Sequence, residues 1–128
     1  MAKHLTFSLW TDARSIRCLL AKDGWLTPDT YTSNMFAPLS KGAAVYLFLS
    51  YQKSDFDNAL VSYVGQSTNL CQRLAAHEIL RDLDQNNFWT MRWFRRTRHS
   101  LLRDVEREYI RRFNPPWNII GRQRGIQA

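Results

Sequence analysis

Three short apolar segments, separated by polar ones, predict the strands of a small β-sheet. Residues 43–49 are a run of small, β-branched and aromatic side chains, which is typical of a buried strand. Residues 60–64 have a similar composition, and the polar stretch 50–59 predicts a loop that joins the two strands into an antiparallel hairpin. Residues 88–97 combine aromatic and basic side chains and predict a third strand, in which Trp89, Met91 and Trp93 alternate as a core-facing side would and leave Arg92 outside.

Helical signals mark three further segments. Thr11 or Asp12 is a suitable cap for a short helix that runs to about residue 21. A second helix is predicted over about 69–84. A third begins at residue 99 or 100 and ends near 113, because the two prolines that follow forbid its continuation.

These elements predict an α+β fold, in which a small three-stranded, mainly antiparallel sheet is flanked by helices. The length of 128 residues fits one domain. We expect residues 1–41 to be an N-terminal extension, a helix plus a loop, packed on a core formed by residues 42–128. In the loop of this extension, Met35, Phe36 and Leu39 are expected to contact the core.

The sequence shows no signal for a membrane or an export pathway. No apolar run reaches the roughly 18 residues that a membrane-spanning helix needs, and the N-terminal apolar stretch is too short for a signal peptide. We therefore expect a cytoplasmic protein.

Cys18 and Cys71 lack the spacing of metal ligands, and buried free thiols are favoured over the alternative of a disulfide.

The excess of positive over negative charge lies entirely in the last third of the chain. The net charge is +7, but residues 1–91 hold eight basic and eight acidic side chains, whereas residues 92–124 hold ten arginines and three acids. Guanidinium groups pair with phosphates in a fork geometry, so a nucleic-acid backbone is the favoured partner over a merely solvated basic surface. The candidate DNA contacts are Arg92, Arg95, Arg96, Arg98, Arg103 and Arg107.

A carboxylate interrupts the apolar side of the last predicted helix. At 100° per residue, Glu106 falls inside the arc formed by the apolar residues of this helix. A buried carboxylate is costly unless it is paired or binds a cation. The pattern leaves two partners open, a buried arginine or a divalent metal, and Glu108 near the other edge of the arc is a rival metal ligand.

The segment from Ser62 to His77 has the composition of a strand end, a glycine turn and a helix start. Arg73 and His77 are four residues apart and share one face of that helix. With Tyr63 at the strand end, these side chains predict a corner that binds phosphate.

In order along the chain, these residues resemble the motifs of the GIY-YIG nucleases, the catalytic domains of certain homing endonucleases, restriction enzymes and the excision-repair nuclease subunit. The resemblance covers roughly residues 42–120. The first motif is Ala44-Val45-Tyr46, with alanine in place of the family's glycine, and the second is Tyr63-Val64-Gly65. The other matching positions are Arg73, His77, Glu106 and Asn118.

The resemblance implies a nuclease domain over residues 42–128 that hydrolyses DNA phosphodiester bonds with Mg²⁺ or Mn²⁺. It implies that Arg73 offsets charge on the phosphate, that Glu106 holds the metal, and that Tyr46, more than Tyr63, orients or deprotonates the attacking water. The remaining roles are a hydrogen bond or proton relay by His77, and either a loop anchor or a phosphate contact by Asn118.

Two alternatives to an active nuclease remain at this point. A nucleic-acid-binding module of the same fold with an inactive site would have the same charge and aromatic content, and an interaction protein could use the arginine-rich helix on an acidic partner. If the chain is a nuclease, one active centre per domain predicts a homodimer on DNA for cutting both strands.

Overall fold

A computed structural model gives the fold of residues 10–27, 42–75 and 77–123. The expected contacts of Met35, Phe36 and Leu39 lie outside these described residues. The elements in chain order are β1 (Thr11–Asp12), α1 (Ala13–Lys22), β2 (Ala44–Gln52), β3 (Asp55–Ser67), α2 (Leu70–Ala75), α3 (Glu78–Gln85), β4 (Phe88–Arg96), a 3₁₀ turn (His99–Leu101), α4 (Leu102–Phe113) and α5 (Pro116–Gln123).

The predicted α+β class is confirmed, but the sheet has four strands rather than three. Its order is β1-β3-β2-β4, and every neighbouring pair is antiparallel. The additional strand is the two-residue β1, in which Thr11 lies opposite Ala59 and Asp12 opposite Asn58. Two residues are too few to produce the alternation that reveals a strand in a sequence.

The loop predicted over residues 50–59 is wrong, because both strands of the hairpin continue through it. Gln52 pairs with Asp55, so only Lys53 and Ser54 form the turn. The residues after the turn are polar because this end of β3 is largely exposed, from Asp55 to Asn58. The polar composition at this end therefore indicates that the strand is exposed, and it does not indicate a loop.

Two of the three predicted helices are confirmed, α1 and the helix that ends at Phe113, which begins as a 3₁₀ turn at His99; the third needs correction. Helix α1 is capped as expected, with the Asp12 carboxylate accepting a hydrogen bond of 2.9 Å from the Ser15 amide. The single helix predicted over 69–84 is two helices, because His77 adopts an extended conformation and caps α3. Helix α5 was not predicted; the proline that stops α4 is followed by Pro116 at the first position of a new helix.

Side chains on the two faces of the sheet build two separate cores. Strand alternation directs Val45, Leu47 and Leu49 to one side, here called the α1 face, where they pack with α1 and α4. Tyr46 and Phe48 point to the opposite side, here called the tyrosine face. They pack there with residues of β3, α2, α3, β4 and α5, among them Tyr63, Leu70, Ile79, Phe94 and Trp117.

Two expectations about individual side chains are wrong. The alternation along β4 predicts Trp89 in the core, but this side chain is 48% exposed, whereas Trp93 is buried as expected. Cys18 is a free thiol on the exposed side of α1 and is not buried.

Among the described residues, no helix combines the length and the apolar character needed to cross a membrane.

Gly65 is the position where the fold admits no side chain. It lies directly opposite Tyr46, and a Cβ atom there would be 2.5 Å from the Tyr46 hydroxyl. We predict that Gly65→Ala lowers the free energy of unfolding by about 1–3 kcal/mol, because the tyrosine ring must move within a packed core.

Urea denaturation measures this loss, with Gly42→Ala as the matched control. A Cβ at Gly42 would be 3.2 Å from the flexible end of the Arg96 side chain, which can move aside. Equal stability of the two variants would contradict the prediction.

Candidate active site

Five of the six predicted site residues form one cluster on the tyrosine face and at its border. Tyr46 comes from β2, Tyr63 from β3, Arg73 from α2, His77 from the break between α2 and α3, and Glu106 from α4. The rings of Tyr46 and Tyr63 lie 6.2 Å apart, and the imidazole of His77 is edge-on to both, at 5.4 Å and 5.2 Å. Elements that are distant in sequence therefore contribute to a single site.

A buried hydrogen bond joins Tyr46 to His77. The Tyr46 hydroxyl lies 2.7 Å from His77 Nε2, and His77 Nδ1 accepts the Ile79 amide proton at 3.2 Å. Because Nδ1 accepts, the proton of the neutral ring belongs on Nε2. His77 therefore donates to Tyr46, and the phenolic proton of Tyr46 remains available for another partner.

The neutral state of His77 is favoured by its surroundings. Burial lowers the pKa of His77 to about 4, and the nearby positive charge of Arg73 acts in the same direction. The ring is therefore uncharged near pH 7, as its role as acceptor for Ile79 requires. The sequence-based proposal of a proton relay through His77 would need the opposite hydrogen-bond direction.

The guanidinium of Arg73 lies between the tyrosines and an acid that the sequence analysis did not single out. It forms an ion pair of 3.0 Å with Glu78, the first residue of α3. Burial raises the pKa of Tyr46 above its ordinary range and the neighbouring Tyr63 adds to this, whereas Arg73 opposes the rise through its charge and a hydrogen bond. Arg73 is thus the group that favours a phenolate at Tyr46.

Tyr63 carries a buried hydroxyl with no hydrogen-bond partner among the described residues. Burial raises the pKa of Tyr63 to about 12, Arg73 opposes this shift, and the Glu106 carboxylate adds to it. An unpaired buried hydroxyl is unfavourable, typically by about 1–3 kcal/mol. A buried polar group without a partner needs an explanation, and here the charges of a cation, Arg73, and an anion, Glu106, both act on the pKa of the hydroxyl.

Glu106 is half-buried at the border of this cluster, as the helical pattern predicts. Burial raises the pKa of the Glu106 carboxyl, while a hydrogen bond from Gln66 and the charges of Arg103 and Arg107 oppose the rise. Gln66 Nε2 donates to Glu106 Oε1 at 3.1 Å. Among the described residues no arginine forms an ion pair with Glu106, so this part of the chain does not contain the buried salt bridge that was one of its two expected partners.

The donor set around Glu106 fits a magnesium ion that binds together with a substrate. In the described part of the chain, no three His, Cys, Asp or Glu residues converge as a complete metal site. Mg²⁺ needs only one or two carboxylates, because waters and substrate phosphates supply its other ligands. Glu106 meets this requirement better than its rival Glu108, which is exposed two residues further along α4.

Asn118 holds the backbone of the strand that carries Tyr63. Its Oδ1 accepts from the Val64 amide at 2.9 Å, and its Nδ2 donates to the Val64 carbonyl at 2.8 Å. Of the two roles implied by the resemblance, these bonds match an anchor for the chain after α4.

The six candidate DNA-binding arginines fall into different environments. Arg92 and Arg96 are exposed and lie opposite Phe48 and Ala44, which puts them on the tyrosine face of β4. Arg95 is half-buried on the other face and donates to the Tyr109 hydroxyl at 3.1 Å, so it has a partner within the fold. The remaining three are exposed, namely Arg98, Arg103 and Arg107.

Comparison with known proteins finds no family model, no curated protein and no solved structure that matches this chain. The functional interpretation therefore depends on the geometry of this site and on the motifs in the sequence.

Two site residues were missed by sequence reasoning, and each had a signal. Gln66 directly follows the second motif, and strand alternation directs it to the α1 face, where α4 packs. Glu78 is five residues after Arg73 and directly after the capping His77. Once the break at His77 is known, both positions follow from local geometry.

We predict that His77 makes stability dependent on pH below neutrality. The pKa of His77 is about 4 in the folded state and about 6.5 in the unfolded chain. Between these values the unfolded state binds more protons, so stability falls as pH drops through this window. The stability advantage of the wild type over His77→Gln should shrink by about 1–3 kcal/mol between about pH 7 and 4.5.

Chemical denaturation at a series of pH values tests this expectation. His99→Gln is the control, because His99 is exposed, and its curve should run parallel to that of the wild type. If the free energies of unfolding of wild type and His77→Gln differ by the same amount at every pH in this range, the lowered pKa of His77 is contradicted.

Proposed function

We propose that this chain is a metal-dependent DNA endonuclease that hydrolyses phosphodiester bonds with a GIY-YIG type of active site, on the corresponding fold. The observation that carries the proposal is the convergence of four groups from four elements. Both Arg73 and Glu106 act on the pKa values of Tyr46 and Tyr63. A fixed cation, a half-buried carboxylate and two buried phenols are the groups that this hydrolysis requires.

The two tyrosines have different roles in the proposed reaction. His77 donates a hydrogen bond to the Tyr46 oxygen, and Arg73 favours its anion, so Tyr46 is the group that orients the attacking water and accepts its proton. Burial keeps Tyr46 protonated, and Arg73 opposes this; a divalent cation held by Glu106 would supply further positive charge that favours the Tyr46 anion. The unpaired hydroxyl of Tyr63 binds the water or a phosphate oxygen.

Arg73 and Glu106 act on the phosphate. As negative charge gathers on the non-bridging oxygens in the transition state, the guanidinium of Arg73 offsets it. Glu106, oriented by Gln66, would hold Mg²⁺ or Mn²⁺, and the ion would supply positive charge that stabilises the departing 3′ oxygen. Glu78 keeps Arg73 in position through the ion pair of 3.0 Å.

DNA is the proposed partner because exposed cations surround the carboxylate. Arg103 and Arg107 are close enough to Glu106 to lower the pKa of its carboxyl, and both are exposed. They bind the phosphates on either side of the one that is cut. One domain has one such centre, so cutting both strands requires two copies on the DNA.

We predict that Glu106→Gln abolishes Mg²⁺-dependent nicking of supercoiled plasmid, lowering the rate by about a hundredfold or more, because the isosteric amide cannot hold the metal. Glu108→Gln, an exposed position on the same helix, is the matched control and should cut like the wild type. Agarose gels with Mg²⁺ and with EDTA measure the rates.

If Glu108→Gln loses activity while Glu106→Gln retains it, the metal ligand is misassigned. If the wild type binds DNA but does not cut it under any divalent metal, the alternative of an inactive nucleic-acid-binding module replaces the nuclease.

We predict that Arg103 and Arg107 contribute to the salt dependence of DNA binding. Each phosphate contact contributes about 0.9 to the slope of log affinity against log salt concentration. The double variant Arg103→Gln, Arg107→Gln should therefore reduce the slope for duplex DNA by about 2. Fluorescence anisotropy in EDTA measures it without cleavage.

Arg14→Gln, an exposed site on α1, is the control for loss of one positive charge. An unchanged slope in the double variant would remove these arginines from the DNA surface. Binding of an acidic protein with the same affinity as DNA would favour the interaction-protein alternative.

A further inference from the structure

A second concave site lies far from the candidate active site. It is a cavity of about 450 Å³ on the α1 face, at the hairpin end of the sheet, and we call it the aromatic cavity. Its walls include Arg17, Thr27, Tyr51, Phe56, Trp89 and Met91. Tyr51 is five residues beyond Tyr46 on β2, so it lies on the opposite face and roughly 16 Å further along the strand.

Three aromatic rings form one wall of the aromatic cavity. Tyr51 and Trp89 are direct cross-strand neighbours with ring centroids 5.4 Å apart. Phe56 lies 5.7 Å from Tyr51 and 5.8 Å from Trp89, edge-on to the latter. Phe56 is 54% exposed and Trp89 is 48% exposed. Two large rings open to solvent in a concave site indicate a binding surface.

Arg17 adds a cation to the aromatic cavity. Arg17 NH1 donates to the Tyr51 hydroxyl at 2.9 Å, which fixes the guanidinium beside the rings. A guanidinium has five N–H donors, so this bond leaves others for a ligand. None of the described residues that line the cavity is acidic. The site therefore suits a ligand with a flat ring and a negative charge, and its volume is within the range of about 300–1,000 Å³ found for small-ligand pockets.

We propose that the aromatic cavity binds an unpaired nucleotide of a single-stranded nucleic acid. The base stacks on the face of Trp89 and meets Phe56 edge-to-face, because the planes of these two rings are at 79° to each other, and Arg17 binds the adjacent phosphate. Stacking on exposed aromatic rings beside a cation is the general mode by which single strands are bound, because every base has a flat face. Within a duplex those faces are stacked on neighbouring bases, so a paired nucleotide does not fit the site.

Charge favours this occupant over an apolar peptide. An apolar peptide would bury the guanidinium of Arg17 without an anion, which is unfavourable. The proposal rests on the nucleic-acid partner of the proposed function, but it does not rest on cleavage. It adds that the substrate contains an unpaired segment, bound at a site separate from the centre that cuts.

Binding of a fluorescent oligo(dT) strand in EDTA tests the proposal. Trp89→Ala and Phe56→Ala are expected to weaken binding by about fivefold or more, the usual effect of removing one stacking ring. Trp89→Phe, which keeps a ring, should restore most of the affinity. Leu101→Ala, an exposed apolar side chain remote from the cavity, is the matched control and should bind like the wild type.

Two further probes identify the occupant. A duplex of the same length should bind Trp89→Ala and wild type within about twofold, and a strand of sugar-phosphate without bases should not distinguish them. Thermal unfolding checks that each variant is folded; if Trp89→Ala is not, the Phe56→Ala and Arg17→Lys variants carry the test.

Unchanged oligo(dT) affinity in the folded cavity variants would overturn the proposal, as would an equal loss on the strand without bases. If instead the wild type self-associates in sedimentation and Trp89→Ala does not, the occupant is a second copy of the chain. Because these measurements are made in EDTA, absence of nuclease activity leaves the expected result unchanged and is recognised separately by the plasmid assay.

Discussion

The hydrogen bond between the Tyr46 hydroxyl and His77 Nε2 connects the central strand of the sheet to the start of α3. The same imidazole caps α3 through Nδ1, so its orientation is fixed from both sides of the ring. The break between α2 and α3 exists because His77 takes this capping position. Since Arg73 precedes the break and Glu78 follows it, the ion pair between them also depends on where the helix is interrupted.

Burial and charge oppose each other throughout this site. Burial holds both tyrosines in the protonated state and favours the neutral form of Glu106, whereas Arg73 and the arginines of α4 favour the anions. Burial therefore keeps both phenols protonated in the protein without ligand, and it raises the pKa of the Glu106 carboxyl. Added positive charge would lower the pKa of all three groups, because each is at least half-buried and poorly solvated.

The spacing of side chains along the sequence was sufficient to predict the parts of this fold that depend on local patterns. The cap at Asp12, the buried strand after Gly42 and the inward-facing Glu106 all follow from periodicity and capping. The antiparallel hairpin was predicted, but the continuation of its strands through residues 50–59 was missed, because exposed strand residues have the composition of a loop. The break at His77 was missed because histidine is an uncommon cap, and its role depends on a tyrosine 31 residues earlier in the chain.

Sequence patterns were also insufficient to predict the contacts within the candidate active site. The resemblance to the GIY-YIG motifs pointed to residues that do converge, but it gave neither the direction of the bond from His77 nor the contacts of Gln66 and Glu78. Arg95 belongs to the same arginine-rich segment as Arg92 and Arg96, yet it turns to the opposite face because strand positions alternate. Composition alone does not distinguish an arginine that binds a ligand from one that binds a tyrosine of its own core.

Asn118 also affects how this molecule meets other molecules. Strand β1 covers β3 only at Asn58 and Ala59, so the outer edge of β3 beyond them lacks a neighbouring strand among the described residues. The Asn118 amide satisfies both the N–H and the C=O of Val64, which is what a paired strand would do at that position. At Val64, one side chain thereby occupies backbone groups that would otherwise be offered to an extended segment of another chain, which is a way of blocking edge-to-edge pairing at that position.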